Sequence, residues 1–205
     1  MKRFCEALGL CHTVITDTKD DKVSGEEYIV YNASSPDELA LVNGARHLGF
    51  AFESRDEEGN MVCETWDGQR LYKLLNVIEF DSTRKRMSVI VRTPEDKVLV
   101  ICKGADSIIE KRLKPNQKHL AKTKAFLDEF AHTGLRTLLI ASKEISELEY
   151  QKWSKSYLKA STSLNKEKAM AKLEEELEVD FELIGSTAIE DKLQEEVDKT
   201  IYDIR

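Results

Sequence analysis

The sequence is poor in the loops that most nucleotide enzymes are built on. It contains no GxxxxGK[ST], no GxGxxG, no GxSxG and no HExxH. These absences exclude a P-loop NTPase, a dinucleotide-binding crossover, a nucleophile elbow and a helical zinc protease. Nine glycines and three prolines leave little room for long disordered linkers. Four cysteines, at 5, 11, 63 and 102, have no CxxC spacing. Structural zinc needs closely paired thiolate or imidazole ligands, so the thiols are expected to be buried and reduced, and no metal site is expected. No apolar run approaches the ~20 residues that a bilayer-crossing helix requires. An excess of positive charge is missing too: the net charge is −7 and the pI near 5.3. That argues against a general nucleic-acid binder. Four scattered histidines (12, 47, 119, 132) pair with nothing, and no nucleophile stands with a base. The chain reads as a binder rather than a complete catalyst.

What is there is a 205-residue chain, 41% hydrophobic and 34% charged, long enough to bury a proper core. Its most unusual stretch is Glu79–Arg92, EFDSTRKRMSVIVR, in which one aromatic ring, a polar turn and three consecutive cations precede an apolar strand. Between residues 84 and 112 there are eight Lys/Arg against four Asp/Glu, a basic island in an acidic protein. A solvated hairpin face produces such an island, and so does a site for a compact anion. The run is too short for a polyanion but suits a nucleotide phosphate. A second basic point, Cys102-Lys103-Gly104-Ala105-Asp106, lies within hairpin reach.

Taken in order, Phe4–Val14 has the spacing of a short helix and residues 16–27 read as a polar loop around Gly25. Tyr28–Tyr31 reads as a brief strand. Ser35, Pro36 and Glu38 form the pattern of a capping box opening a helix with a Leu41, Val42, Ala45, Leu48 stripe, ended by Gly49. On this reading the Glu38 carboxylate needs no ligand. Strands follow at 50–54, 61–65, 70–79, 85–92 and 97–103, with an Asp67-Gly68 turn, and such tight connections make neighbours antiparallel. Asp106 is expected to cap a short helix to Leu113, and residues 116–133 a longer one stopped by Gly134. Leu135–Ser142 reads as a central strand, and Ser146–Glu149 as a second capping box opening one or two helices to Leu177. The Lys/Glu-rich residues 165–178 are expected to be mostly a solvated face. Phe181–Ile189 is a last strand, and a helical segment opens at Glu190. The fold class is α+β, a twisted antiparallel sheet of about six or more strands flanked by helices, in one domain over 1–205.

For binding, Phe80 offers a face on which a purine can stack. Lys85 and Lys103 place ammonium groups at strand ends. Gly104 removes a side chain where a ligand would approach the backbone. Arg136, just past Gly134, can offer a guanidinium fork to phosphate. Taken singly, each of these is as well explained by a core ring, solvated lysines and a surface arginine.

The motifs SPDELALV (35–42), FDSTRKRMSVIVR (80–92), CKGAD (102–106), GLRTL (134–138) and AIEDKLQ (188–194) occur in this order. Together they resemble the cytosolic nucleotide-binding domain of P-type ATPases over about Phe4 to Gln194. LCHTV (10–14) and the Tyr150, Trp153, Tyr157, Ala160 helix resemble the phospholipid-flippase branch. The resemblance implies that Phe80 stacks on adenine and that Lys103 lines the same pocket. Lys85 would lie near adenine and ribose, Glu38 near the adenine amino group, and Arg136 at the phosphates. Ser82, Met87 and Gly104 are weaker candidates; the calcium-pump branch has arginine at the position of Ser82, so a phosphate role does not carry over to this serine. Arg84 and Arg86 are left as structural or surface charges.

The family's DKTGT phosphorylation motif, its GDGxND magnesium motif and its membrane helices do not occur in this sequence. The resemblance therefore implies an excised piece, starting at Met1, with residues 190–205 resembling the return hinge. It would be monomeric, bind ATP and turn over none. Phosphorylation, actuator and membrane domains, Mg2+ held mainly elsewhere and a phospholipid substrate would belong to a parent on the cytosolic face of a eukaryotic membrane. The resemblance leaves a cation-transporting branch of the same family as an alternative, and the residues leave a non-enzymatic interaction domain built on the charged helices 146–177 and a small self-sufficient ATP-using enzyme.

Overall fold

The computed structural model describes residues 1–20, 25, 27–190 and 197–204. Helix α1 (Lys2–Leu10) leads to a two-stranded hairpin, β1 (Ile15–Asp20) and β2 (Glu27–Asn32), and then to α2 (Pro36–His47). Five strands follow with short connections: β3 (Ala51–Arg55), β4 (Met61–Thr65), β5 (Gly68–Asp81), β6 (Arg86–Arg92) and β7 (Val98–Gly104). Then come α3 (Asp106–Ile109) with a tight 3-10 turn at Glu110–Arg112, α4 (Leu120–His132), β8 (Arg136–Ile145), α5 (Glu147–Ser161), α6 (Lys166–Leu177), β9 (Glu182–Ile189) and α7 (Val197–Ile204). Strands β3 to β9 form one seven-stranded antiparallel sheet in strict chain order, so the fold is α+β.

Side chains alternate across the sheet and divide its strands between two cores. Met87, Val89, Val91, Ile101 and Ile140 face one core, shared with α1 and α2. Ile90, Val100, Cys102, Leu139 and Ala141 face the other, shared with α3 to α6. In β5 the alternation breaks: Tyr72 and Leu74 join the first core and so does Val77, because a bulge between Leu74 and Asn76 inserts an extra residue. Tyr150 donates to the Asn76 Oδ1 at that bulge, 2.8 Å away. The bulge is why the apolar positions of β5 do not follow one strict alternation.

Several expectations need correction. Residues 15–20 form a strand rather than a loop, held by backbone pairing to β2 although almost every side chain in them is exposed. A pattern of exposed side chains carries no apolar signal to read. The capping box at α2 does not form: Ser35 is the residue before the helix but makes no side-chain cap, and Glu38 turns inward instead. Ala105, not Asp106, precedes α3. Helix α4 starts at Leu120, because Asn116 adopts a left-handed backbone and the Gln117 amide bonds Lys114 O, Phe181 O and Leu183 N. Of the apolar residues Leu120, Phe126, Leu127 and Phe130 in α4, only Leu127 is buried.

Other expectations hold. Gly134 takes φ +75°, the left-handed stop that ends α4. Ser146 Oγ accepts from Glu149 N at 3.2 Å and caps α5. All four cysteines are free and buried. The helical segment expected from Glu190 lies in part outside the described residues.

Candidate functional site

The site begins with a loop whose backbone is fixed by a histidine. His12 is fully buried; its Nε2 donates to Gly9 O (2.9 Å) and its Nδ1 accepts from Val14 N (3.1 Å), which makes it a neutral imidazole in one tautomer. Burial, with the Lys103 charge adding to it, lowers its pKa to about 3. This pinned loop presents Thr13, whose N–H and hydroxyl both donate to the Glu38 carboxylate (3.1 and 2.9 Å). Lys103, from the end of β7, reaches the same carboxylate at 3.3 Å. Glu38 and Lys103 are 7% and 8% exposed, so the pair is a desolvated charge couple at the edge of the first core. A buried pair of this kind persists only when its hydrogen bonds are completed, and Thr13 completes two of them. Nearby, burial raises the Cys11 thiol to about 11, so it stands in the inert protonated form.

The turn from β5 to β6 forms the opposite wall. Asp81 Oδ1 accepts from Thr83 N and Arg84 N (2.7 and 3.0 Å), and Asp81 O accepts from Lys85 N. Lys85 closes the turn with φ +52°, a left-handed backbone that is uncommon and costly away from glycine. A register shift between Ile78 and Asp81 swings Glu79 and Phe80 out of the ladder. Phe80 is left 65% exposed, a large apolar ring held in the open.

Gly104 is explained differently from the expectation. A Cβ there would stand 2.6 Å from Lys85 O and 2.6 Å from Arg86 Cβ, so glycine is required by the approach of β6 itself.

These walls enclose a cavity of about 710 Å3. Glu38, Phe80, Lys85, Met87, Lys103, Gly104 and Arg136 all line it, together with Thr13, Asp37, Leu41 and Leu138. Ser82 does not. Arg136 sits at an exposed position, bonded to Asp37 Oδ1 at 3.1 Å. Thr13 and Asp37 also line the cavity and were passed over by sequence reasoning, although both stand inside motifs singled out there, LCHTV and SPDE.

The basic island is largely neutralised within the protein. Arg84 and Arg86 meet Glu178, Arg92 meets Glu147 and Asp96, Lys97 meets Glu144, and Arg112 meets Glu175. Residues 165–178 are therefore not simply a solvated face, since Glu174 and Glu178 are buried against these arginines. Of the island's cations, only Lys85 and Lys103 border the cavity. Chemically, the cavity offers an open aromatic face, apolar walls, a buried carboxylate–ammonium couple and a guanidinium towards solvent. That combination suits a planar, amine-bearing ring carrying a negatively charged tail.

Fold and cavity together define a protein class, and comparison with known proteins agrees. Residues 1–196 match the family described as P-type ATPase, cytoplasmic domain N, and the chain belongs to that family. Within it, the chain is 48% identical over 201 residues to mouse phospholipid-transporting ATPase FetA, 44% over 202 residues to human phospholipid-transporting ATPase IC and 46% over 200 residues to mouse phospholipid-transporting ATPase ID. Each match covers 97–98% of this chain and 16% of the relative. The chain thus spans about a sixth of the length of those relatives. Among the described residues no helix is long and apolar enough to cross a membrane.

Proposed function

We propose that this chain is the ATP-binding domain of a phospholipid-translocating P-type ATPase, and that it presents ATP to an aspartate in a phosphorylation domain outside this sequence. The observation that carries this reading is the exposed Phe80 ring beside a cavity containing the buried Glu38–Lys103 pair. Adenine stacks on Phe80, and its amino group donates to the Glu38 carboxylate, which Thr13 and Lys103 already orient. Lys85 lies near base and ribose, with Met87 as apolar wall. Arg136 exchanges part of its contact with Asp37 for phosphate.

The chain does no chemistry alone. Magnesium, which would neutralise phosphate charge, would be held mainly by groups outside this chain. By likeness to its phospholipid-transporting relatives, the parent takes a phospholipid as substrate and acts at the cytosolic face of a membrane through phosphorylation, actuator and membrane domains.

Titration of 15N-labelled protein with ATP and ADP tests the reading. ATP is expected to shift the amides of residues 38, 80, 85 and 103. Phe80→Ala should weaken binding by about 10-fold, within the roughly 1–3 kcal/mol of a stacked base. Lys103→Ala should weaken it as well. Unchanged affinity in both variants would refute the assignment, and steady phosphate release from the purified chain would refute the view that it only binds.

A further inference from the structure

A group of buried charges on the far face of the sheet has no part in the site described so far. Glu178 closes the C-terminal end of α6 and is fully buried. A carboxylate is disfavoured at that end of a helix dipole, and burying it costs more still unless it is fully bonded. Its bonds come from one short stretch. Arg84 Nη2 donates to Oε1 and Oε2 (2.5 and 2.6 Å), Arg86 Nε to Oε2 (2.7 Å) and Ser88 Oγ to Oε1 (2.6 Å). Arg86 is only 2% exposed.

The two arginines also reach back to the chain that carries the site. Arg84 Nη1 donates to Glu79 O (3.0 Å) and Arg86 Nη1 to Arg84 O (3.1 Å). These carbonyls lie immediately before Phe80 and immediately before Lys85. Packing does not fix Phe80. The ring is mostly exposed and borders both the main cavity and a second one of about 640 Å3 on the side of α5 and α6, lined by Arg84, Tyr157 and Glu174. Its place is therefore set by its backbone.

We propose that Glu178, acting through Arg84 and Arg86, is a positioning residue for nucleotide binding: it fixes the 79–86 backbone so that Phe80 and Lys85 face the cavity. This rests on the nucleotide reading, but it is a claim about the ligand-free protein as well. Two hydrogen-bonded arms thus couple the α5–α6 hairpin to the ring that meets the ligand.

The test uses Arg84→Ala and Arg84→Lys, with Glu178→Gln as a third variant and Val98→Ala, at the other end of β7 from Lys103, as a destabilised control. Two quantities are read well below the melting temperature: the ring 13C signals of labelled Phe80 without nucleotide, and the Kd for ATP. Arg84→Ala is expected to shift the Phe80 signals without nucleotide and to raise Kd roughly fivefold, the value of one lost hydrogen bond. Arg84→Lys should fall between it and wild type, and Val98→Ala should leave both quantities at wild-type values while lowering stability. If Phe80 signals and Kd are unchanged in Arg84→Ala, or if Kd rises with the signals unmoved, the proposal is wrong. If Val98→Ala moves both as much, the network is merely structural and the proposal is equally wrong. Wild-type protein that binds no ATP would instead refute the proposed function, and the ligand-free Phe80 signals would still decide whether the turn is held as described.

Discussion

His12 makes no contact with the cavity, yet it sets where Thr13 stands and so how Glu38 is held. Its two nitrogens are committed to Gly9 O and Val14 N, an arrangement that needs the neutral ring. Burial is the main reason that its pKa falls to about 3, against roughly 6.5 in an unfolded chain. The unfolded chain therefore binds the proton first. Stability from His12 is fully present above about pH 6.5 and is lost as pH falls towards 3. Between pH 7.5 and 5 linkage gives a loss of about 2 kcal/mol. Urea denaturation at those two pH values should show it in wild type. His12→Gln should be less stable at pH 7.5 and lose most of the difference between the two pH values. An equal pH dependence in the variant would show that the imidazole is not the titrating group.

At the level of strands and turns, the site depends on how closely β6 and β7 run. Gly104 has no room for a methyl group, with Lys85 O and Arg86 Cβ both at 2.6 Å from where it would sit. Ala105 N–H also donates to Lys85 O, so the two strand ends are tied at the point where the left-handed Lys85 closes the turn. Gly104→Ala must push them apart, at a cost of about 1–3 kcal/mol. The expected result is a lower urea midpoint with an unchanged m-value and weaker ATP binding, because Lys85 and Lys103 move with the strands. A midpoint equal to wild type would mean that the approach relaxes freely.

Such a constraint shows what was legible beforehand. The seven strands of the large sheet were visible in order, because turn residues and apolar runs mark each of them locally, whereas β1 was not, because its side chains are nearly all exposed. Glu38 was misread as a cap, because SPDE satisfies the capping pattern while its carboxylate is taken by Thr13, 25 residues away in sequence. The basic island stayed open between a solvated face and an anion site because most of the acids that neutralise it come from α5, β8 and the end of α6, and only the folded chain brings them together.

For the molecule as a whole, the cavity's electrostatics set an upper bound on affinity. Lys103 is neutralised by Glu38, and Arg136 bonds Asp37, so phosphate charge meets groups that already have partners. A ligand gains ring stacking and a few exchanged hydrogen bonds, which corresponds to a Kd around millimolar, or roughly −4 kcal/mol. On the proposed function such an affinity suffices, since a neighbouring domain of the same chain would meet the bound nucleotide at high effective concentration. At 10 mM ATP, mass action then stabilises the fold by about 1.4 kcal/mol. For a chain of this size, that raises the melting temperature by roughly 3–6 °C. A thermal melt with and without ATP measures it directly. ADP should give a similar shift, because the base and sugar contacts dominate, and Phe80→Ala should remove most of the shift while leaving the ligand-free melting temperature nearly unchanged, given how exposed the ring is. A shift that survives in Phe80→Ala would mean that nucleotide binds without its base on the ring, through phosphate alone.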